Sequence, residues 1–310
     1  MKPFLVVNPR SANGATAKHF DSIAQAVRNA VGEAAHAFTE RPMHAAEVTR
    51  KALADGHDLV IAVGGDGTIN EVVNGFFDPL VPGAAPKATR DGAALGILPR
   101  GTGGDLRRTV GLDDDLWRCA ERLKGEKKAV DVGRVDFIGH DGQPASRYFM
   151  NVGEIGVGAR VVEIANKSSK MLGGKMTFML ASLRALVGWR DLPVRASFDG
   201  GPLEDLTVTT LAIANGRYFG GGMMVAPEAK LEDGLFHITI WKGRTLKDFA
   251  LGSGLYDGTH VKHASTQTRT AKTVRLEPVD QAVAIEVDGE GIGRLPATFT
   301  VLPGALQLVS

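Results

Sequence analysis

The chain of 310 residues predicts a doubly wound α/β domain followed by a mostly antiparallel β-sandwich. Three observations lead there. Apolar strand-like runs alternate with helix-period segments up to about residue 128. Beyond that point short strand-like runs dominate, separated by turn signals. Two glycine-rich turns follow directly on strands of the first part. Alternation predicts a parallel sheet covered on both faces, and such sheets bind ligands beyond the carboxyl ends of their strands.

In order, Phe4 to Val7 reads as a strand and Thr16 to Val31 as a helix with Ile23, Val27 and Val31 on one face. Ala45 to Ala54 is a second helix, Leu59 to Val63 a strand and Ile69 to Phe77 a helix. Ala94 to Leu98 is the next strand, with helical stretches at Asp105 to Val110 and Asp113 to Lys124. The second part carries strand-like runs at Val130 to Val135, Arg147 to Val152, Val194 to Phe198, Thr207 to Ala214, Phe236 to Trp241, Thr273 to Glu277, Val283 to Val287 and Phe299 to Leu302. A helical insert is expected over about 161–189. The boundaries are set at 1–128 and 129–296, with about 297–310 packing back on the first domain.

Bulk composition narrows the function. A net charge of +1 argues against a general nucleic-acid binder, whose domain would be distinctly basic. The single cysteine, Cys119, excludes an internal disulfide and fits a reducing compartment. The N-terminal apolar run is short for a signal peptide, and no segment approaches the ~20 apolar residues of a membrane-spanning helix. A cytoplasmic protein is expected, peripheral at most to the inner face of a membrane. The histidines show no metal spacing; His260 and His263 read as surface residues, and Trp117, Trp189 and Trp241 as core or rim.

The chemistry concentrates in Gly64-Gly65-Asp66-Gly67-Thr68, which follows an apolar β-branched run. Glycines let a ligand approach the backbone, and exposed N–H groups at a turn and helix start form an anion site. An aspartate inside a phosphate cradle implies a cation or a hydroxyl between them, so the stretch reads as a site for a nucleotide polyphosphate with Mg²⁺. Asn8-Pro9-Arg10-Ser11 closes the first strand, and Leu98-Pro99-Arg100-Gly101-Thr102-Gly103-Gly104-Asp105 is a second turn of the same kind. Near the C-terminal end of the second part, Asp288 and Glu290 flank Gly289 at a strand end. Their side chains share one face if that strand stays regular. Such a pair can divide orientation and proton acceptance.

The ordered set of motifs resembles the diacylglycerol kinase catalytic-domain family, which includes sphingosine, ceramide and bacterial lipid kinases. It comprises Asn8-Pro9, Gly64 to Gly75, Leu98 to Thr102, Phe149-Met150-Asn151-Val152-Gly153, Ala214 to Met223, Asp233-Gly234-Leu235 and Val287 to Glu290. The resemblance spans nearly the whole chain. It implies ATP held in an interdomain cleft, contacted by Asn8, Pro9, Arg10, Ser11, Ala12, Thr39, Gly64, Gly65, Asp66, Gly67, Thr68, Asn70, Glu71, Gly101 and Thr102. It implies that Asp66 and Asp105 shape the phosphate and metal region, and that Glu290 is the proton acceptor beside Asp288. It further implies a structural Mg²⁺ at Asp233, with the carbonyls of Lys230 and Leu235 nearby. The implied activity is ATP-dependent phosphorylation of a membrane lipid hydroxyl, in a diacylglycerol, phosphatidylglycerol or sphingoid base.

Three departures stand out. Gly104 replaces a common Asn, which loosens the turn; the glycine of the first loop, Gly14, comes one residue late; and Phe236-His237-Ile238 stands where Leu-Asp-Val is usual, so one carboxylate of the metal region is missing. The stretch from Arg160 to Arg195 interleaves basic residues with apolar ones such as Phe178 and Met179, a pattern that docks on anionic lipid. Two alternatives are an NAD kinase, which shares the Gly-Gly-Asp-Gly-Thr turn, and a silent nucleotide or lipid sensor. Oligomeric state is open, a homodimer being one option.

Overall fold

The computed structural model describes residues 1–79, 84–101, 103–158, 160–161, 164, 184–185, 187–243 and 254–309. The chain forms two compact units, one of Met1–Asp131 with Gly304–Ser310 and one of Val132–Pro303. Thr102 and most of the basic, amphipathic stretch, including Phe178 and Met179, lie outside the described residues.

The first unit contains β1 (Pro3–Val7), α1 (Ala15–Lys18), α2 (Phe20–Val31), β2 (Ala35–Phe38), α3 (His44–Ala54), β3 (Leu59–Gly64), α4 (Asp66–Gly75), β4 (Ala94–Pro99), α5 (Asp105–Thr109) and α6 (Leu116–Arg122). The strands are parallel in the order β2, β1, β3, β4. Gln307–Val309 add a fifth parallel strand beside Ala94–Gly96. β3 is buried along its full length, as a β-branched run covered on both faces should be. On one side α3 and α4 pack together against these strands; α2 and α6 pair separately, with α6 against β4. Strand order reverses between β1 and β3, so their carboxyl ends flank the crevice where doubly wound sheets bind ligands.

The second unit takes in most of β5 (Lys127–Gly139), then β6 (Pro144–Phe149), β7 (Val152–Gly156), β8 (Leu192–Phe198), β9 (Glu204–Val208), β10 (Thr210–Ala214), β11 (Phe236–Trp241), β12 (Thr266–Ala271), β13 (Thr273–Pro278), β14 (Ala284–Val287) and most of β15 (Glu290–Val309). The order β12, β11, β10, β7, β14 is antiparallel throughout, and β15, β13, β8 and β9 continue in antiparallel pairs. The core holds Phe149 stacked on Phe236 at 5.7 Å, with Phe299 edge-on to Phe149. Ile155, Ile213, Ile285 and Val287 fill the same core.

Several elements differ from expectation. The helix expected over Thr16 to Val31 breaks at His19, whose φ of −108° and ψ of 21° are non-helical. α4 begins at Asp66 with Gly65 as its N-cap, so Gly64 ends β3 and Asp66-Gly67-Thr68 form the first helical turn and not a loop before it. β2 was not foreseen. Thr207 to Ala214 divides at Thr209, whose N–H donates to the Trp241 carbonyl and whose carbonyl accepts from Val157. Arg147 to Val152 divides at Met150–Asn151, where the backbone N–H groups turn toward a carboxylate. His260 is buried, not exposed, and packs edge-on to the Trp241 ring.

Candidate active site

In the first unit three loops meet at the strand ends. The Asn8 side chain donates to Thr68 Oγ1 at 2.9 Å and accepts the Arg10 N–H at 3.0 Å, fastening the loop after β1 to the start of α4. Ser11 Oγ donates to the Asn8 carbonyl at 2.8 Å. Ala12, Asn13 and Gly14 are successive left-handed residues (φ 50°, 55° and 85°), which wind this loop tightly and account for the glycine at its third position. Thr39 extends the ladder by donating its N–H to the Val7 carbonyl at 2.8 Å.

The two glycine turns interlock. Arg100 N–H donates to the Gly64 carbonyl at 2.7 Å. A β-carbon on Gly101 would lie 2.4 Å from Gly65 Cα, so the backbones touch where side chains would stand. Asp66 completes the joint: one carboxylate oxygen accepts N–H groups from Gly104 (2.8 Å) and Asp105 (3.3 Å), the other from Leu106 (3.1 Å). It thereby supplies the acceptor that the start of α5 lacks. Gly104 sits in the left-handed region (φ 67°) and is held through its own N–H, so the loosening expected from the missing Asn side chain is offset by the backbone. Asp105 is buried and pairs with Arg108 at 3.4 Å.

Two residues expected at the nucleotide have other partners. Glu71 accepts the Ala45 N–H at 3.1 Å, capping α3. Asn70 is buried, and its carbonyl accepts from the Asn74 side chain at 2.8 Å. Pro9 and Ala12 are half-buried and Arg10 exposed; Gly67 lies in the first turn of α4, whose free N–H groups face the strand ends.

In the second unit the acidic pair does not lie on a regular strand. Val287 and Glu290 are paired across a two-residue hairpin turn, with Asp288 at φ 47° and Gly289 at φ 87°. Asp-Gly is a favoured sequence for such a turn. Asp288 accepts three successive backbone N–H groups: Met150 at 3.1 Å, Asn151 at 3.0 Å and Val152 at 3.0 Å. Asn215 donates its side-chain amide to the Met150 carbonyl, and the Asn215 and Gly216 N–H groups both reach the Asn151 carbonyl. Three motif blocks are thereby tied into one turn cluster. Glu290 is 39% exposed and stands 3.7 Å from Arg147.

The metal expected at Asp233 finds an unsuitable donor set. One Asp233 oxygen accepts the Leu235 N–H at 3.0 Å, and the other lies 2.9 Å from His237 Nε2. His237 is the residue that replaces the usual aspartate, so a ring N–H occupies the place of an oxygen ligand. Mg²⁺ is held through anionic oxygens, and with both Asp233 oxygens engaged by N–H groups and only neutral carbonyls at Lys230 and Leu235 the residues are a poor fit for it. Among the described residues no group of three or more His, Cys, Asp or Glu is arranged to hold a metal ion.

Two functional candidates went unnoticed in the sequence. Glu154 on β7 and Glu286 on β14 are directly opposed and buried. Each is a lone acid in an apolar strand, a pattern that ordinarily marks a solvent-facing position.

Comparison with known proteins agrees with these two units. Residues 2–135 match the diacylglycerol kinase catalytic domain, and residues 151–310 match the YegS C-terminal NAD kinase beta sandwich-like domain. The chain is 28% identical over 313 residues to a diacylglycerol kinase of Bacillus subtilis, covering 98% of this chain and 95% of the relative. It is 27% identical over 310 residues to one of Staphylococcus carnosus, covering 98% and 93%. In structure it resembles a putative diacylglycerol kinase of Bacillus anthracis, with TM-score 0.76, 24% identity and coverage of 99% and 96%. A yeast NADH kinase shares the fold more distantly, with TM-score 0.52, 12% identity and coverage of 99% and 82%. By fold and motif the chain is a kinase built from an α/β unit and a β-sandwich unit. More narrowly, it belongs to the diacylglycerol kinase catalytic-domain family, a family of lipid kinases.

Proposed function

We propose that this protein transfers the γ-phosphate of ATP to a hydroxyl of a membrane lipid of the diacylglycerol class. The observation that carries the reading is the backbone joint between Gly65 and Gly101, which brings the two glycine turns together at the sheet's switch point beside the start of α4. ATP enters as its magnesium salt, the cation accompanying the polyphosphate as part of the substrate.

Phosphoryl transfer needs an in-line hydroxyl, an acceptor for its proton and neutralisation of the migrating charge. The two acids of the hairpin divide unequally. Asp288 already accepts three N–H groups and serves to fix the turn. Glu290, partly exposed beside Arg147, accepts the hydroxyl proton. The lipid is met at a membrane surface; no helix among the described residues is long and apolar enough to cross a bilayer. The site is cytoplasmic in this reading, since ATP is the donor.

The test is ATP turnover in mixed micelles with diacylglycerol, phosphatidylglycerol, a sphingoid base or NAD as acceptor, for wild type and Glu290→Gln. Phosphorylation of a lipid that falls about a hundredfold or more in Glu290→Gln is expected. Phosphorylation of NAD alone would overturn the reading.

A further inference from the structure

Glu154 and Glu286 form a buried pair that the proposed chemistry does not use. They stand opposite each other in the β7–β14 ladder, 3% and 6% exposed. Directly opposed residues of antiparallel strands hold their β-carbons about 5 Å apart, so the carboxyl groups meet. They are within hydrogen-bonding reach of each other. Escape is blocked on the far side, because the Glu154 carboxylate fills the space beside Gly158, where a β-carbon would lie 1.9 Å from Oε1.

Among the described residues no cation acts on the pair. From β10, Ala212 faces Glu154, and from β11, Thr239 faces Ala212. The segment after β7 contributes Val157 and Gly158. The charged group acting on the pair from outside is another acid, Asp288, with the Gly289 N–H working against it on Glu286. Among the described residues no donor reaches Oε2 of either glutamate. Two ionised carboxylates in such a place would repel each other without compensation.

We infer that Glu154 and Glu286 share one proton, and that this shared proton clasps β14 to β7 and so positions the Asp288–Glu290 turn. The placement explains why a clasp is needed there. β14 has only four residues, and its register with β15 shifts between Ile285 and Glu286. At the bulge the ladder on that side is interrupted. The next rungs on the β7 side are Val287 against Gly153 and the Asp288 N–H on the Val152 carbonyl at 2.9 Å. Glutamate pair and hairpin turn thus belong to one run of contacts.

Burial pushes both carboxyls up, Glu286 to about 7 and Glu154 well above the carboxylate range, their mutual repulsion adding to the rise in Glu154. The folded pair therefore holds a proton at neutral pH that the unfolded chain releases. A raised folded pKa gives stability that is complete at low pH and lost as pH rises toward the folded value.

Glu154 and Glu286 are thus positioning residues, and their effect on turnover rests on the reading of Glu290 as proton acceptor. The reference is the double variant Glu154→Gln/Glu286→Gln, which keeps a side-chain hydrogen bond and removes both titrations. Infrared spectra of wild type at pH 7 should show a protonated carboxyl C=O band that the variant lacks. The folding constant of wild type relative to the variant should fall by about tenfold or more per pH unit between about pH 5 and 7. Turnover with diacylglycerol should show an alkaline limb in wild type only. Identical pH profiles for unfolding and turnover in the two proteins, or no acid band at pH 7 in wild type, would overturn the inference. Should the double variant not fold, the wild-type band and the single Glu154→Gln profile decide. Absence of any lipid phosphorylation would sink the functional reading, while the infrared and unfolding measurements still decide on the proton.

Discussion

Replacing Asp288 by Asn separates holding the hairpin from doing chemistry on it. The backbone is undisturbed, because Asn accepts the left-handed conformation that Asp288 holds at φ 47°. The acceptors are not. One oxygen of Asp288 serves Asn151 and Val152, the other serves Met150, and all three residues are buried. Asn keeps one oxygen and turns an NH₂ against the third N–H. Bonds to a charged acceptor contribute about 1.5–3 kcal/mol and a stranded buried donor costs about 1–3 kcal/mol. Allowing for the two bonds that survive in neutral form, the loss is roughly 2–4 kcal/mol. In a unit of this size each kcal/mol moves the melting temperature by about 2–4 °C, so a fall of roughly 5–15 °C is expected. Glu290→Gln should behave oppositely. Its contact with Arg147 is long and half-exposed, a kind worth about 0–1 kcal/mol, so Tm stays nearly constant. Turnover should fall about a hundred- to ten-thousandfold. Thermal unfolding by circular dichroism, read beside kcat for both variants, makes the comparison. An Asp288→Asn protein that melts with wild type yet loses turnover as Glu290→Gln does would reverse the two roles.

Other perturbations test the remaining joints. Gly101→Ala sets a methyl against Gly65 Cα, and should weaken ATP binding at least tenfold while destabilising by about 1–3 kcal/mol; unchanged ATP affinity by calorimetry would contradict the interlocked turns. Glu71→Ala removes the cap on α3 and should cost about 1–2 kcal/mol with ATP affinity kept within twofold; a large affinity loss with normal stability would return Glu71 to the nucleotide site. Chelation by EDTA should leave the Tm of the nucleotide-free protein unmoved, since the Asp233–His237 contact stands where Mg²⁺ was expected; a drop of several degrees reversed by Mg²⁺ would refute this.

Much of the first unit was legible because its strands are β-branched apolar runs closed by glycine turns. β2 escaped notice: Ala-His-Ala-Phe at a sheet edge has neither β-branching nor alternation. The start of α4 was misplaced because glycines at 64, 65 and 67 read as a loop, whereas the helix is set by packing behind it. The acidic motif singled out Asp288, but its partners at 150–152 were needed before it could be recognised as an anchor. Glu71 likewise depends on Ala45, a neighbour only in the folded chain. Glu154 and Glu286 were invisible one at a time, since only strand pairing turns two isolated acids into a pair.

The fifth strand of the parallel sheet is drawn from residues 307–309, although its first comes from residues 3–7. During synthesis, therefore, β4 emerges with one edge unpaired and stays so while some two hundred further residues are made. An open edge of Ala94–Gly96 is a template for the wrong partner throughout that interval. A chaperone bound there, or a slow step late in translation, would act on the first unit even though most of its sequence left the ribosome long before.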